Sequence, residues 1–96
     1  MTRRQTVQLH MDQIRQMAAR HGASHVRIFG SIARGDDRPE SDLDLVVRFA
    51  PDRSLLDHGA LVMDLQELLG FRVDVLSEAG LKGRFRDQVL REAVPL

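Results

Sequence analysis

Two aspartates, Asp42 and Asp44, stand one leucine apart in the stretch FGSIARGDDRPESDLDLVVRF, residues 29–49. Carboxylates this close repel each other and resist desolvation, so something must offset the cost of placing them in an otherwise apolar segment. An all-oxygen donor set in a chain without cysteine favours a hard divalent cation, Mg²⁺ or Mn²⁺. Alone, the D-x-D pair is a weak signal, because a solvated strand edge with Arg48 and Arg72 as partners reads the same way. Gly30-Ser31 upstream adds a second signal. A glycine directly after a strand lets a phosphate approach the backbone, and the free N–H groups of the next turn point at the anion. Ser31 can donate its hydroxyl to a phosphoryl oxygen, and Arg34 follows one turn later.

Short elements must hold these residues. Val7, Met11, Ile14 and Ala18 recur at helical spacing, with Met17 beside them, and His21-Gly22 supplies a stop. Val26 to Phe29 reads as a strand ending at Gly30, and Leu43 to Phe49 as a second one, ended by Ala50-Pro51. Leu55 to Leu69 is a long helix with Leu61, Val62, Leu65, Leu68 and Leu69 on its apolar side and Gly70 as its stop. Phe71 to Leu76 is a third strand. Ser77 is placed to cap a final helix in which Leu81, Phe85 and Val89 recur every fourth residue. The order αβ-turn-βαβα predicts an α/β (α+β) fold: a small mixed sheet, mostly three-stranded, flanked by helices. The pattern leaves strand order open.

The two-residue period of a strand then sorts the faces. Leu43, Leu45, Val47 and Phe49 share the core side, while Asp42, Asp44 and Val46 share the other. Asp74 falls on the off-core side of the third strand, between Arg72 and Leu76. If those two strands are neighbours, three carboxylates meet on one patch.

Composition sets the outer bounds. A chain of 96 residues is expected to be one domain, residues 1–96. Basic and acidic residues balance at 14 each, so no global field points to nucleic acid or membrane. Lys82 is the single lysine, an arginine bias that a GC-rich genome also produces. No apolar run reaches transmembrane length and the N-terminus lacks the apolar centre of a signal peptide, so a cytoplasmic protein is expected. His10, His21, His25 and His58 share no ligand spacing and read as surface or helix-end residues. Arg84, Arg86 and Arg91 read as a solvated face, and Phe85 with Leu81 and Val89 as core or partner contact.

Gly30-Ser31, ten intervening residues and Asp42-Leu43-Asp44 resemble the G-S-x10-D-x-D signature of the polymerase-β-like nucleotidyltransferase superfamily. Ala33-Arg34-Gly35 and Ser41 match its fuller form, and Asp74 looks like its third carboxylate. The short length, the N-terminal helix and the run Leu90-Arg91-Glu92-Ala93 look like the minimal nucleotidyltransferase (MNT) branch. The resemblance implies two Mg²⁺ or Mn²⁺ ions bridged by Asp42 and Asp44, with Asp74 completing the acceptor-side ion. It implies ATP as substrate, with Gly30, Ser31, Arg34 and Ser41 at the nucleotide, and Gly30, Ser31 and Arg34 on its β- and γ-phosphates. It also implies an antitoxin that moves AMP to a tyrosine of a cognate HEPN-domain RNase toxin, with no membrane contact and no direct nucleic-acid binding. Two alternatives stay open: a non-catalytic antitoxin that caps its partner sterically, and a free-standing transferase acting on a small molecule or an RNA end. A domain this small leaves apolar surface outside its core, and the stretch Phe85 to Leu96 is the first candidate for a partner-docking or homo-oligomer surface.

Overall fold

The computed structural model describes residues 1–96. Thr2 opens the first helix, α1 (Arg3–Leu9), through a capping box: its hydroxyl accepts the Gln5 amide at 3.1 Å, and the Gln5 side chain accepts the Thr2 amide at 2.8 Å. The expected single N-terminal helix is in fact two. His10 leaves helical geometry, its own amide bonds back only to Val7, and its Nδ1–H donates to the freed Thr6 carbonyl at 2.7 Å. A side chain that takes over a backbone acceptor in this way kinks a helix. The second helix, α2 (Met11–Arg20), resumes beyond it, and Val7, Ile14 and Ala18 of the predicted stripe are buried.

The remaining elements are β1 (Ala23–Phe29), a short helix α3 (Gly30–Arg34), β2 (Leu43–Phe49), α4 (Leu55–Leu69), β3 (Val73–Ser77), α5 (Gly83–Glu92) and β4 (Val94–Pro95). The first strand is longer than the apolar run predicted, because Ser24 pairs with Arg48 across a bulge at which His25 adopts a positive φ of 52°. The second strand and α4 match expectation residue for residue, and α4 gains a capping box from Ser54 and Asp57 and a left-handed Gly70. The final helix starts later than predicted. Ser77 ends β3 and is followed by a 3₁₀ turn, Glu78–Gly80, and its side chain caps nothing.

The sheet is four-stranded and mixed, in the order β3-β2-β1-β4: β2 runs parallel to β3 and antiparallel to β1. The fourth strand corrects the three-strand expectation. Val94 and Pro95 pair with Ile28 and Arg27, and the Leu96 amide donates to the Val26 carbonyl at 3.1 Å. The apolar tail thus completes an edge, and proline suits that place because it has no N–H to leave unpaired.

One face of the sheet carries Leu43, Leu45, Val47, Val73 and Val75 against Val7, Ile14, Ala18, Leu61, Leu65 and Leu69. Burial of such side chains stabilises the fold by roughly 1.5–3 kcal/mol each before chain entropy is counted. The other face is divided. Its middle, with Val46, is covered by Leu81 and by Val89 of α5, with Phe29 and Leu76 alongside. Phe85 does not join them and is exposed. At one end of this face, Glu78 pairs with Arg27 at 2.9 Å and with Arg48. The other end holds the aspartates.

Candidate active site

Strand register assembles the site. Asp44 on β2 lies directly beside Asp74 on β3, and Phe29 on β1 is its partner on the opposite side. Partners in register on neighbouring strands stand about 4.8 Å apart and project to the same face. Asp42 lies just before the first residue of β2, and the Leu43 amide donates to the Arg72 carbonyl at 3.1 Å, which joins the starts of the two strands. Parallel pairing of β2 with β3 is what brings the sequence-distant Asp74 to the D-x-D pair.

Asp44 bears the electrostatic strain. Burial, then the charges of Asp74 and Asp42, push its carboxyl from 3.8 up to about 6, while Arg34 pulls in the other direction. Arg72 stands astride the other two carboxylates, with Nε 3.7 Å from Asp42 and 3.8 Å from Asp74. These are long contacts to a largely exposed guanidinium and offset little of the repulsion. Arg48, the other partner that the solvated-edge reading offered, is engaged with Glu78 instead.

Gly30 follows Phe29 with φ +78°, and a Cβ there would come within 2.3 Å of the Asp44 carboxylate. Left-handed backbone and absent space both require glycine. Ser31 occupies the first turn of α3 beside it, half-buried. Arg34 pairs with Asp36 and with Glu92 of α5, both at 3.2 Å, and its charge acts on Asp44. Ser41 uses its hydroxyl to accept the Arg38 amide at 2.8 Å, closing the loop that leads into Asp42. Gly30, Ser31, Asp42, Asp44 and Asp74 therefore gather in one place, with Arg34 and Ser41 at its border.

The donor set suits a hard divalent ion: three carboxylates, two of them adjacent in register, and no softer group among them. As placed, no three side chains close on one point as ligands. Asp44 and Asp74, partners in register, carry their carboxylates on the same face, with Arg72 beside Asp42 and Asp74.

Two contributors were not singled out from sequence. Glu92 fixes Arg34, and Arg3 of α1 reaches the loop before Asp42, its Nη1 donating to the Ser41 carbonyl at 2.7 Å. No periodicity marks either one, since each is a charged residue on a helix whose partner lies far along the chain.

A mixed sheet with a glycine-opened turn facing paired carboxylates is the architecture of a nucleotidyl-transferring domain. Residues 11–96 match the model of the nucleotidyltransferase domain. The chain is similar to protein adenylyltransferase MntA of Thermococcus cleftensis, with 38% identity over 80 residues, covering 83% of this chain and 81% of that one. A solved structure provisionally described as a minimal nucleotidyltransferase is 52% identical, superposes with a TM-score of 0.89 and covers 100% of this chain and 97% of its own. A toxin–antitoxin crystal structure with AMP-PNP shares the fold, with a TM-score of 0.76 at 20% identity over 88% of this chain and 69% of that one. This chain belongs to the nucleotidyltransferase domain family, in its minimal (MNT) branch.

Proposed function

We propose that this chain transfers AMP from ATP to a tyrosine hydroxyl of a cognate HEPN-domain RNase toxin, with divalent metal, and so acts as the antitoxin. The observation that carries the reading is the Asp44–Asp74 pair held in register, with Gly30 letting the Asp44 carboxylate close against the turn. Asp42, Asp44 and Asp74 would hold Mg²⁺ or Mn²⁺, which would supply charge neutralisation at the α-phosphoryl and a lowered hydroxyl pKa. Gly30 admits the triphosphate to the backbone, where Ser31 and the open amides at the start of α3 bind the β- and γ-phosphates. Arg34 joins them by exchanging its carboxylate partners Asp36 and Glu92, an exchange that costs little because a guanidinium in water is only weakly held by such pairs. Asp74 takes the tyrosine proton as the phenolic oxygen bonds to the α-phosphorus. The bond from that phosphorus to the bridging oxygen breaks, and pyrophosphate leaves. Most of the acceleration is positioning and charge stabilisation, which a rigid sheet provides.

The acceptor is assigned to a partner because the carboxylates lie on an open end of the sheet. The name of the Thermococcus relative supports protein adenylylation, and the toxin–antitoxin likeness supports a toxin partner and an adenine nucleotide. An added phosphate beside an RNase centre repels the RNA backbone, which gives the modification its inhibitory effect. No helix is long and apolar enough to cross a membrane; a cytoplasmic site of action goes with an RNase partner. Intact-mass measurement of the partner after incubation with ATP and Mg²⁺ tests the proposal. One added AMP group, lost on omission of metal, is the expected result; an unmodified partner in a stable complex would sink it in favour of steric capping.

A further inference from the structure

One guanidinium touches the segments that lead into both carboxylate strands. Nη1 of Arg3 donates to the Ser41 carbonyl at 2.7 Å, and its Cζ lies 4.9 Å over the centroid of the Phe71 ring. Ser41 immediately precedes Asp42, and Phe71 immediately precedes Arg72, two residues before Asp74. The neighbouring Arg4 forms an ion pair with Asp37, at the other end of the same loop, and that carboxylate is only 12% exposed. The helix bearing both arginines is anchored in turn by its capping box and by Val7, which is 2% exposed. Asp42 lies just before the β2 ladder, tied to β3 through the bond from the Leu43 amide to the Arg72 carbonyl. Residues 3–9 also precede the stretch matched by the family model.

We propose that Arg3 is a positioning residue that sets Asp42 against Asp74 by gripping Ser41 and Phe71 together, and through them sets divalent-metal affinity. The inference rests on the reading of these carboxylates as metal ligands. The planar fork is what does this: one edge donates to a carbonyl while the face stacks on an aromatic ring, and lysine cannot do both. Groups bonded directly to metal ligands typically alter affinity 10–100-fold, and Arg3, acting through the residues next to them, belongs at the low end of that range.

The test is Mn²⁺ binding with a non-hydrolysable ATP analogue, followed by the electron-paramagnetic-resonance signal of free Mn²⁺, on the full chain. Arg3→Ala should bind Mn²⁺ about tenfold more weakly than the parent, and Arg3→Lys should fall between them. Melting in EDTA is measured alongside. Val47→Ala, which weakens the core at the end of β2 away from Asp42, should lower the melting temperature yet leave Mn²⁺ affinity within about twofold of the parent. Parental affinity in Arg3→Ala, or in Arg3→Lys should the alanine variant not fold, would overturn the inference. So would an equal loss in Val47→Ala, since affinity would then merely follow stability. Failure of the parent itself to bind Mn²⁺ would overturn the metal reading and this inference with it.

Discussion

Gly30 and Asp44 face each other so closely that a Cβ on the glycine would lie 2.3 Å from the aspartate's Oδ2. The phosphate turn and the carboxylate pair are therefore one construction, with β1 delivering the glycine to the strand that carries the acid. Phe29, the residue before Gly30, is the register partner of Asp44.

Gly30→Ala should test that construction directly. The methyl group displaces the Asp44 carboxylate, and the left-handed backbone costs about 1–2 kcal/mol for any residue with a Cβ. Differential scanning fluorimetry should show a lower melting temperature. The parent's upward shift with Mn²⁺ and a non-hydrolysable ATP analogue should vanish in the variant. A shift of parental size would separate the turn from the nucleotide.

Asp44→Asn should stabilise the metal-free protein at neutral pH. The folded carboxyl titrates near 6, above its ordinary 3.8, so the folded state binds the extra proton between those values. That contribution is fully present below about pH 4 and is lost as pH rises through about 6. At pH 7 the ionised group is a net cost, on the order of 1 kcal/mol once solvent screening of a half-exposed site is allowed for. Asp57 and Glu78 have lowered pKa values, the first through the Ser54 amide and the second through Arg27 and Arg48, and they act in the opposite sense in acid. The difference between parent and variant melting curves from pH 4 to 7.5 isolates Asp44. It should widen with pH in favour of the asparagine, and a flat difference would mean that Asp44 is not strained.

Leu65→Ala should cost about 2–5 kcal/mol, as measured by urea unfolding, because Leu65 is fully buried where α4 packs on the sheet. For a domain of this size that is a large share of total stability. A loss under about 1 kcal/mol would mean that the core collapses around the gap.

Asp74→Asn separates chemistry from docking. It keeps the fold and the surface while removing the carboxylate that takes the proton. The variant should hold the toxin in pull-down yet add no mass to it, and a toxin co-expressed with it should stay active. Protection equal to the parent's would make neutralisation steric.

What the sequence determined by itself is the local chemistry. Gly30-Ser31, Asp42, Asp44 and the alternation of Leu43, Leu45 and Val47 are decided within twenty residues, where spacing, period and glycine's freedom act directly. The helix Leu55–Leu69 was equally legible, since its apolar side recurs at helical spacing and Gly70 marks its end. The kink at His10 and the pairing of Val94-Pro95 with β1 were not, because they hang on a ring nitrogen reaching a carbonyl and on an edge that only the assembled sheet offers. Nor did the pattern reveal that Arg34 is drawn to Glu92, or that Ser41 spends its hydroxyl on its own loop. Asp74 lies between these cases. Its face could be read from the strand period, but the parallel register that sets it beside Asp44 comes only when α4 packs across both strands, burying Leu61, Leu65 and Leu69 against Leu43, Leu45, Val73 and Val75. Charges gain their partners from topology, and topology is chosen by the burial of apolar surface between elements far apart in the chain.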